Sequence, residues 1–267
     1  MASPSSRIQV CGRIVIEADG VRREHLLPGQ QGRTLFAFLV VHRAEQVTRD
    51  VLVDALWGQK PPVASEAALH ALLSKLRRVL PCRSEQGAVH LELPVGSWVD
   101  LEAARDAIHR AESATAQRDW ARAWAAAQTA MFTARRGFLA GNESAWVQGV
   151  RAELQLLYLR ALETYAGDLR WRPTLETYAA ASLGVGHTEL ATAERASREL
   201  VSVAPYRESG HRLLMSALAE QGNAAEALHV YETLRVLLRD ELGVMPSAPT
   251  RLLHAQLLGA KDIETQR

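Results

Sequence analysis

Polar and basic side chains recur along one side of the segment Ser65–Leu80, at a spacing suited to contact with nucleic acid. His70, Ser74 and Arg77 lie four and three residues apart, so a helix presents them on one face. Imidazole, hydroxyl and guanidinium groups hydrogen bond to base edges and phosphates. The face and its flank also carry small residues that permit close approach and two further cations: Ala67, Ala71, Lys75 and Arg78. A solvated helix face has the same pattern, and periodicity alone leaves both interpretations open.

Three amphipathic helices are predicted to position these side chains. Apolar residues in the third helix follow the i, i+3, i+4, i+7, i+11 spacing of a buried face: Leu69, Leu72, Leu73, Leu76 and Leu80. The first helix has its apolar stripe within Leu35–Val40. Thr48 is the predicted N-cap of the second helix, whose inward residues are Val51, Leu52, Ala55 and Leu56. Pro61 prevents continuation of the second helix, and Pro81 ends the third.

Short strands flank the helices. Apolar residues alternate with polar ones around Ile8–Ile16, Asp19-Gly20 is a turn signal, and Val21–Leu27 follows as the next strand. The chain is therefore predicted to open with a small antiparallel sheet. After the third helix, Val89–Leu93 and Val95–Val99 predict a hairpin, or wing.

Composition and charge exclude several classes of protein. With 48% hydrophobic and 23% charged residues, the chain is not disordered throughout. Its longest apolar run, Leu35–Val41, is far shorter than the roughly 20 residues of a membrane span, and no signal peptide opens the chain, so we expect a cytoplasmic protein without membrane association. Cys11 and Cys82 are too few for a disulfide framework. Residues 1–99 carry 12 basic and 9 acidic residues, a net of +3, and residues 100–267 carry 19 and 21, a net of −2.

From about residue 100, helical patterns rich in alanine and leucine run nearly to the end. Ala193 and Ala227 lie 34 residues apart, with Pro205 between them and Tyr231 four residues after the second alanine. Small residues at helix contacts and a proline between helix pairs are typical of tetratricopeptide (TPR) repeats, although generic helical hairpins give similar spacing. No proline interrupts the last of these helices, so we predict that it runs on to Gly243.

A five-residue sequence is repeated within this helical region. Leu162–Ala166 recurs as Leu175–Ala179, thirteen residues later. Thirteen residues rotate a helix by about 220° beyond whole turns, so the two copies cannot share a facing. The repeat therefore predicts a loop or a break at Gly167–Pro173.

Two sets of motifs resemble a known family of transcription activators. The first resembles an OmpR-type winged helix and comprises Val47-Thr48-Arg49-Asp50, Leu56-Trp57-Gly58, Pro61-Pro62 and Leu73–Leu80. The second resembles the end of a bacterial transcriptional activation domain and comprises Pro205-Tyr206-Arg207-Glu208, Gly222–Leu228 and Leu237–Ser247. In this order, over about residues 7–258, they resemble the Streptomyces antibiotic regulatory protein (SARP) family.

The resemblance implies a mainly α fold with a small β component. A winged helix-turn-helix at residues 7–99 precedes an all-α, TPR-like activation domain at 100–258 and a tail at 259–267. It also implies an activator that binds direct repeats in double-stranded promoter DNA as a side-by-side homodimer. Such an activator recruits RNA polymerase through its primary sigma factor and controls a gene cluster for a secondary metabolite or another pathway.

The resemblance also assigns roles to individual residues. With Ser65–Leu80 as the recognition helix, His70, Ser74 and Arg77 face bases. The residues implied at phosphates or beside them are Arg49, Lys75, Arg78 and Thr48. In the loop Gly58–Ala64, the residues implied to contact polymerase are Gln59, Lys60 and Val63.

An enzyme and an interaction protein are the two alternatives to a transcription activator. The sequence has no Gly-x-x-x-x-Gly-Lys-Ser/Thr loop, no His-Glu-x-x-His motif and no Gly-x-Ser-x-Gly elbow, so we expect no enzyme activity, cofactor or metal. The second alternative is an interaction protein whose helical repeats bind a peptide or small ligand, with degenerate DNA binding. The modest charge of residues 1–99 favours this alternative slightly, whereas the basic face of Ser65–Leu80 favours DNA binding.

Overall fold

The structure is a computed structural model that describes residues 6–85, 87–180 and 186–264, with side chains for 6–85, 87–167 and 190–259. The chain divides into two compact units, Met1–Asp106 with Phe132–Leu156 and Ala107–Met131 with Leu157–Arg267. Within the described residues, no helix combines the length and apolar character needed to cross a bilayer. The predicted fold class, mainly helical with a small β component, is confirmed.

The first unit opens with a four-stranded sheet. Its strands are β1 (Arg7–Gln9), β2 (Val15–Ala18), β3 (Val21–Arg22) and β7 (Trp98–Val99). Across the sheet they lie in the order β3-β2-β1-β7. The first three are antiparallel, as predicted, with Asp19 and Gly20 at positive φ in the turn between β2 and β3. The predicted strand Val21–Leu27 is too long. Glu24–Leu26 form a 3-10 helix instead, and the Glu24 carboxylate turns back to accept the Ile16 N–H at 3.3 Å.

Three helices and a second sheet follow. The elements are α1 (Gly29–Val41), β4 (Val47–Thr48), α2 (Arg49–Trp57), α3 (Ser65–Leu76), β5 (Cys82–Glu85) and β6 (Ala88–Leu91). Helix α1 packs against both α2 and α3, and the antiparallel sheet has the order β4-β6-β5. In α2, Leu52 and Ala55 are buried as predicted, but Val51 is 47% exposed.

The hairpin differs from the predicted wing in the segments that form it. Strand β6 pairs with β5, the strand that precedes it in the chain. Strand β7, which lies in the segment predicted as the second strand of the hairpin, is parallel to β1 instead. The Ser97 N–H donates to the Pro94 carbonyl at 3.0 Å, forming a turn that redirects the chain. The Trp98 N–H then bonds to the Ser6 carbonyl at 2.8 Å. The segment that local spacing assigned to the hairpin therefore pairs with β1, which is distant in sequence.

A buried carboxylate joins the first sheet to the next helix. Asp100 begins α4 (Asp100–Ala116), and its side chain accepts the N–H groups of Val10 at 2.9 Å and Cys11 at 3.0 Å. Burial raises the pKa of Asp100, while these hydrogen bonds oppose that shift. Burial also raises the pKa of the Cys11 thiol, and this free cysteine behaves as a small apolar residue of the core.

Helices continue to the end of the described chain. They are α5 (Trp120–Ala134), α6 (Ala145–Ala180), α7 (Gly186–Val203), α8 (Glu208–Glu220), α9 (Ala224–Leu242) and α10 (Ala248–Glu264). Ala193 and Ala227, 34 residues apart, are both fully buried. Helix α9 ends at Gly243, which has φ +67°. This end is the predicted one, and only glycine adopts that conformation at little cost.

The break predicted at Gly167–Pro173 is wrong. Helix α6 runs without interruption from Ala145 to Ala180 and includes this segment. A continuous helix accommodates the rotation between the two copies of the repeated sequence, so that rotation does not require a loop.

Candidate nucleic-acid interface

The two faces of α3 differ sharply in burial. The leucines predicted to form the inner face are all buried, at 0–9% exposure: Leu69, Leu72, Leu73, Leu76 and Leu80. The residues of the opposite face are all exposed: Ala67, His70, Ala71, Ser74, Lys75, Arg77 and Arg78. The apolar spacing thus predicted the orientation of the helix correctly. Any surface that α3 contacts outside the protein meets the polar and basic residues.

The regular part of α3 ends at Leu76, about one turn before the predicted end near Leu80. The chain continues in a turn, where the Val79 and Leu80 N–H groups bond to the Leu76 carbonyl at 2.8 and 3.1 Å. Val79 and Leu80 are buried there, so the turn closes the apolar face. Arg78 lies in this turn and is exposed.

Four of the predicted DNA contacts have polar groups without partners among the described residues. Within the described residues, no side-chain hydrogen bond or ion pair engages any member of this set: His70, Ser74, Lys75 and Arg78. Exposed, unpaired donors and cations need no internal bond to be broken before they bind a ligand. The arrangement is therefore suited to hydrogen bonding with phosphates and base edges.

Arg77 differs from its neighbours because its guanidinium has partners inside the protein. Its Nε donates to the Cys82 carbonyl at 3.3 Å, and its Nη2 donates to Ser84 Oγ at 3.0 Å. These bonds link the end of α3 to β5. A contact between Arg77 and a base requires the guanidinium to give up or share these bonds.

The N-terminus of α2 lies beside that of α3. Thr48 is the N-cap of α2, as predicted, but its hydroxyl makes no capping hydrogen bond. Arg49 begins the helix and approaches Glu66, in the first turn of α3, with 3.5 Å between Nη1 and Oε2. An exposed ion pair of this length contributes little stability, so Arg49 can exchange it for another anion.

The predicted polymerase-contact loop lies between α2 and α3. Gly58 ends α2 with φ +57°, and two prolines then restrict the backbone. Gln59, Lys60 and Val63 are all exposed, and the valine is fully so. An exposed valine in a restricted loop is a feature suited to contact with another protein.

Strand β5 is the element that the sequence pattern did not predict, whereas its partner β6 overlaps the predicted strand Val89–Leu93. Gly87 has φ +83° at the tip of the hairpin of β5 and β6, and Arg83 on β5 pairs with Glu92 at 2.8 Å. Only Cys82 is buried in β5, so the strand has too few apolar residues to stand out in the sequence. The glycine between two short runs is the one signal that could have indicated it.

The described residues include no group of three or more His, Cys, Asp or Glu side chains arranged to hold a metal ion. The exposed face of α3 presents hydrogen-bonding groups and positive charge. Whether the predicted residues contact DNA stays a prediction.

Comparison with known proteins identifies similar chains. A family model described as the bacterial transcriptional activator domain matches residues 99–258. The chain is 33% identical over 262 residues to regulatory protein AfsR of Streptomyces coelicolor, covering 97% of this chain and 25% of AfsR. It is 29% identical over 241 residues to the transcriptional regulator RedD of the same species, covering 86% of this chain and 65% of RedD. The chain thus spans about a quarter of the length of AfsR.

A solved structure has the same fold. The structure of Mycobacterium tuberculosis EmbR in complex with a low-affinity phosphopeptide matches with a TM-score of 0.79 and 21% sequence identity. The match covers 97% of this chain and 66% of the EmbR chain. At this identity the likeness supports the fold, a winged helix-turn-helix followed by a helical domain.

Proposed function

The chain belongs to the SARP family of transcriptional regulators, and we propose that it activates transcription by binding direct repeats in promoter DNA through α3 and recruiting RNA polymerase. The observation that carries this proposal is the exposed face of α3. His70, Ser74, Lys75 and Arg78 have no partners among the described residues, and buried leucines fix the helix behind them. The genes it controls belong to a cluster for a secondary metabolite or another pathway.

Each part of the surface has a distinct role in this proposal. His70 and Ser74, near the middle of α3, contact base edges in the major groove, which admits an α-helix. Lys75 and Arg78 contact phosphates on either side. Arg77 contacts a base after its guanidinium leaves Ser84 Oγ, a bond of 3.0 Å in an exposed position.

The N-terminus of α2 supplies a second phosphate site. Its unpaired backbone N–H groups favour an anion, and Thr48 and Arg49 lie at that end of the helix. The Thr48 hydroxyl makes no capping bond, so it is available as a donor. A phosphate there would replace Glu66 as the partner of Arg49.

Two further partners complete the proposal. Gln59, Lys60 and Val63 contact RNA polymerase with its primary sigma factor, since they are exposed in the restricted loop between α2 and α3. Two copies of the chain bind adjacent repeats as a homodimer on DNA. The all-α repeats that follow the winged helix stabilise this arrangement.

The test can begin without an identified promoter. Selection from a random double-stranded oligonucleotide library, with the full chain as bait, should enrich a direct repeat. The double variant His70→Ala, Ser74→Ala should lose preference for the enriched site over a scrambled duplex. The double variant Lys75→Ala, Arg78→Ala should instead weaken both duplexes about equally. All four residues are exposed, so neither pair opens a cavity.

Two outcomes would contradict the proposal. Failure to enrich any sequence would favour the interaction-protein alternative. Enrichment that survives unchanged in the His70, Ser74 double variant would place base recognition on another surface. In transcription with purified polymerase, Lys60→Ala with Val63→Ser should reduce activation while leaving affinity for the enriched site unchanged.

A further inference from the structure

A cleft of about 430 Å³ lies in the first unit, away from α3. Its lining includes Gly12–Ile14, residues of the 3-10 helix, and the pair Leu139 and Ala140. Arg33, in the first turns of α1, completes the lining. The volume is within the range of small-molecule sites, which is roughly 300–1,000 Å³.

Two arginines of this cleft have no partner among the described residues. Arg13 and Arg33 are exposed, and across the described ranges neither side chain has an ion pair or a hydrogen bond. The cleft contains one carboxylate, Glu24, which is already bound by Arg22 at 2.7 Å and by the Ile16 N–H. The hydrogen bond from Arg22 lowers the pKa of Glu24 to about 2. Two arginines therefore line the cleft without a counter-ion from the described part of the protein.

The remaining lining is suited to a carbon skeleton. Ile14 and Leu27 are buried lining residues, and His25, which is exposed, adds ring nitrogens to the lining. A pocket with an apolar base and a few convergent polar groups is the usual form of a ligand site. The cleft combines this form with two planar donors that match phosphate and carboxylate geometry.

One lining residue, Leu139, is held in an unfavourable backbone conformation. Leu139 has φ +40°, which L residues with a side chain rarely adopt. Arg151 fixes it by donating to the Leu139 carbonyl at 2.7 Å and the Phe138 carbonyl at 2.9 Å. The N–H of Gly12, another lining residue, donates to the Gly137 carbonyl at 2.8 Å, next to this segment. Such fixed, strained positions concentrate at ligand sites.

We propose that this cleft binds a small organic anion carrying a phosphate or carboxylate group, with Arg13 and Arg33 as its charged contacts. Ile14 and Leu27 contact the ligand's carbon atoms, and His25 donates a hydrogen bond to it. The cleft joins residues near the N-terminus to a segment within the activator-domain match, and both belong to the same compact unit. A bound anion would therefore stabilise that unit. This proposal does not depend on DNA binding by α3.

The experiment uses calorimetric titration of the full chain with three probes: inorganic pyrophosphate, glycerol 3-phosphate and citrate. Sodium chloride keeps the ionic strength constant, because exposed charges are screened by salt. At least one probe should bind saturably, with one site per chain and Kd below about 1 mM. Arg13→Gln and Arg33→Gln should each weaken that binding by about tenfold or more, since each removes a charge-assisted hydrogen bond.

Matched variants make the outcome decisive. Arg195→Gln removes an exposed arginine elsewhere and should leave Kd unchanged. Ala140→Glu adds a negative charge to the cleft at an exposed position and should abolish binding, while circular dichroism confirms that the variant is folded. Absence of saturable binding by all three probes, or equal affinity in the Arg13, Arg33 and Arg195 variants, would overturn the proposal.

DNA phosphates are the other source of the same chemistry. If the cleft binds the DNA backbone, Arg13→Gln and Arg33→Gln will weaken binding of a random duplex, and pyrophosphate will compete with that duplex. This result would overturn the assignment to a small ligand. We expect duplex affinity to change less than about twofold in both variants, which is under roughly 0.4 kcal/mol.

Discussion

Replacing Arg77 with alanine separates two roles of its side chain, a contact to DNA and a link between α3 and β5. The link consists of a partly buried hydrogen bond to the Cys82 carbonyl at 3.3 Å and an exposed one to Ser84 Oγ at 3.0 Å. A typical hydrogen bond contributes about 0.5–1.5 kcal/mol, and exposure favours the lower end. We therefore expect Arg77→Ala to lower the free energy of unfolding by about 1 kcal/mol, measured by urea titration, while the buried leucines of α3 stay packed.

The expected loss of DNA recognition is larger. A bidentate contact between arginine and guanine is worth roughly 1–3 kcal/mol of discrimination, or about 5- to 150-fold in affinity. Fluorescence anisotropy with the selected duplex and a scrambled duplex measures this difference directly. Arg77→Ala should lose most of the preference for the selected site and retain most of its affinity for the scrambled one.

Ser84→Ala is the matched control, because it removes one bond of the link and leaves the guanidinium in place. If Arg77 contacts a base, Ser84→Ala should keep wild-type selectivity. Equal loss of selectivity in both variants would mean that Arg77 acts by holding the hairpin, which refutes the base contact. Wild-type selectivity in Arg77→Ala would refute the assignment more simply.

Four further outcomes are expected. A dimer that neutralises about six to eight phosphates should give a slope of log affinity against log salt on the order of −5 to −7, and a slope near zero would contradict DNA binding. Ala227→Asp puts an unpaired carboxylate into the fully buried cluster of α8 and α9, so helical circular dichroism should fall, whereas exposed Ala225→Asp on the same helix should preserve it. Trp146→Ala should lower the free energy of unfolding by about 2–3 kcal/mol and Trp146→Phe by about 1 kcal/mol, since the second loses mainly a hydrogen bond. Burial lowers the pKa of His211, so below about pH 6.5 the unfolded state binds more protons than the folded state. The free energy of unfolding should therefore fall as pH drops below about 6.5, and His211→Gln should reduce that dependence on pH.

Local periodicity predicted the faces of helices well. The leucines of α3 follow a helical spacing and all face the core, because a helix that packs on one side needs only that spacing. Ala193 and Ala227 were predicted at helix contacts and are fully buried for the same reason. Helix ends were less certain: α9 ends at the predicted glycine, whereas α3 ends one turn early in a turn that buries Val79.

Strand pairing could not be predicted from neighbouring residues. Strand β7 lies parallel to β1, about ninety residues away, and the pattern of Val95–Val99 contains no sign of that partner. Strand β5 has one buried residue in four, so it did not appear as a strand at all. The sequence predicted that the polar residues of α3 share one face. It did not predict the internal partners of Arg77, because both lie in β5 and that strand was not predicted.

Trp146 shows how a distant segment supports the candidate interface. Its indole N–H donates to the Ala55 carbonyl at 3.0 Å, and its ring meets Phe38 edge-on with centroids 5.0 Å apart. Ala55 lies in the last turn of α2, where carbonyl groups have no partner within the helix. The indole therefore satisfies one of these carbonyls and helps to fix the end of α2, from which the chain continues through the loop at Gly58 into α3. Residues 132–156 belong to the activator-domain match but also to the compact unit that contains α3, so the orientation of the predicted DNA-binding face depends on side chains that follow it by about seventy residues.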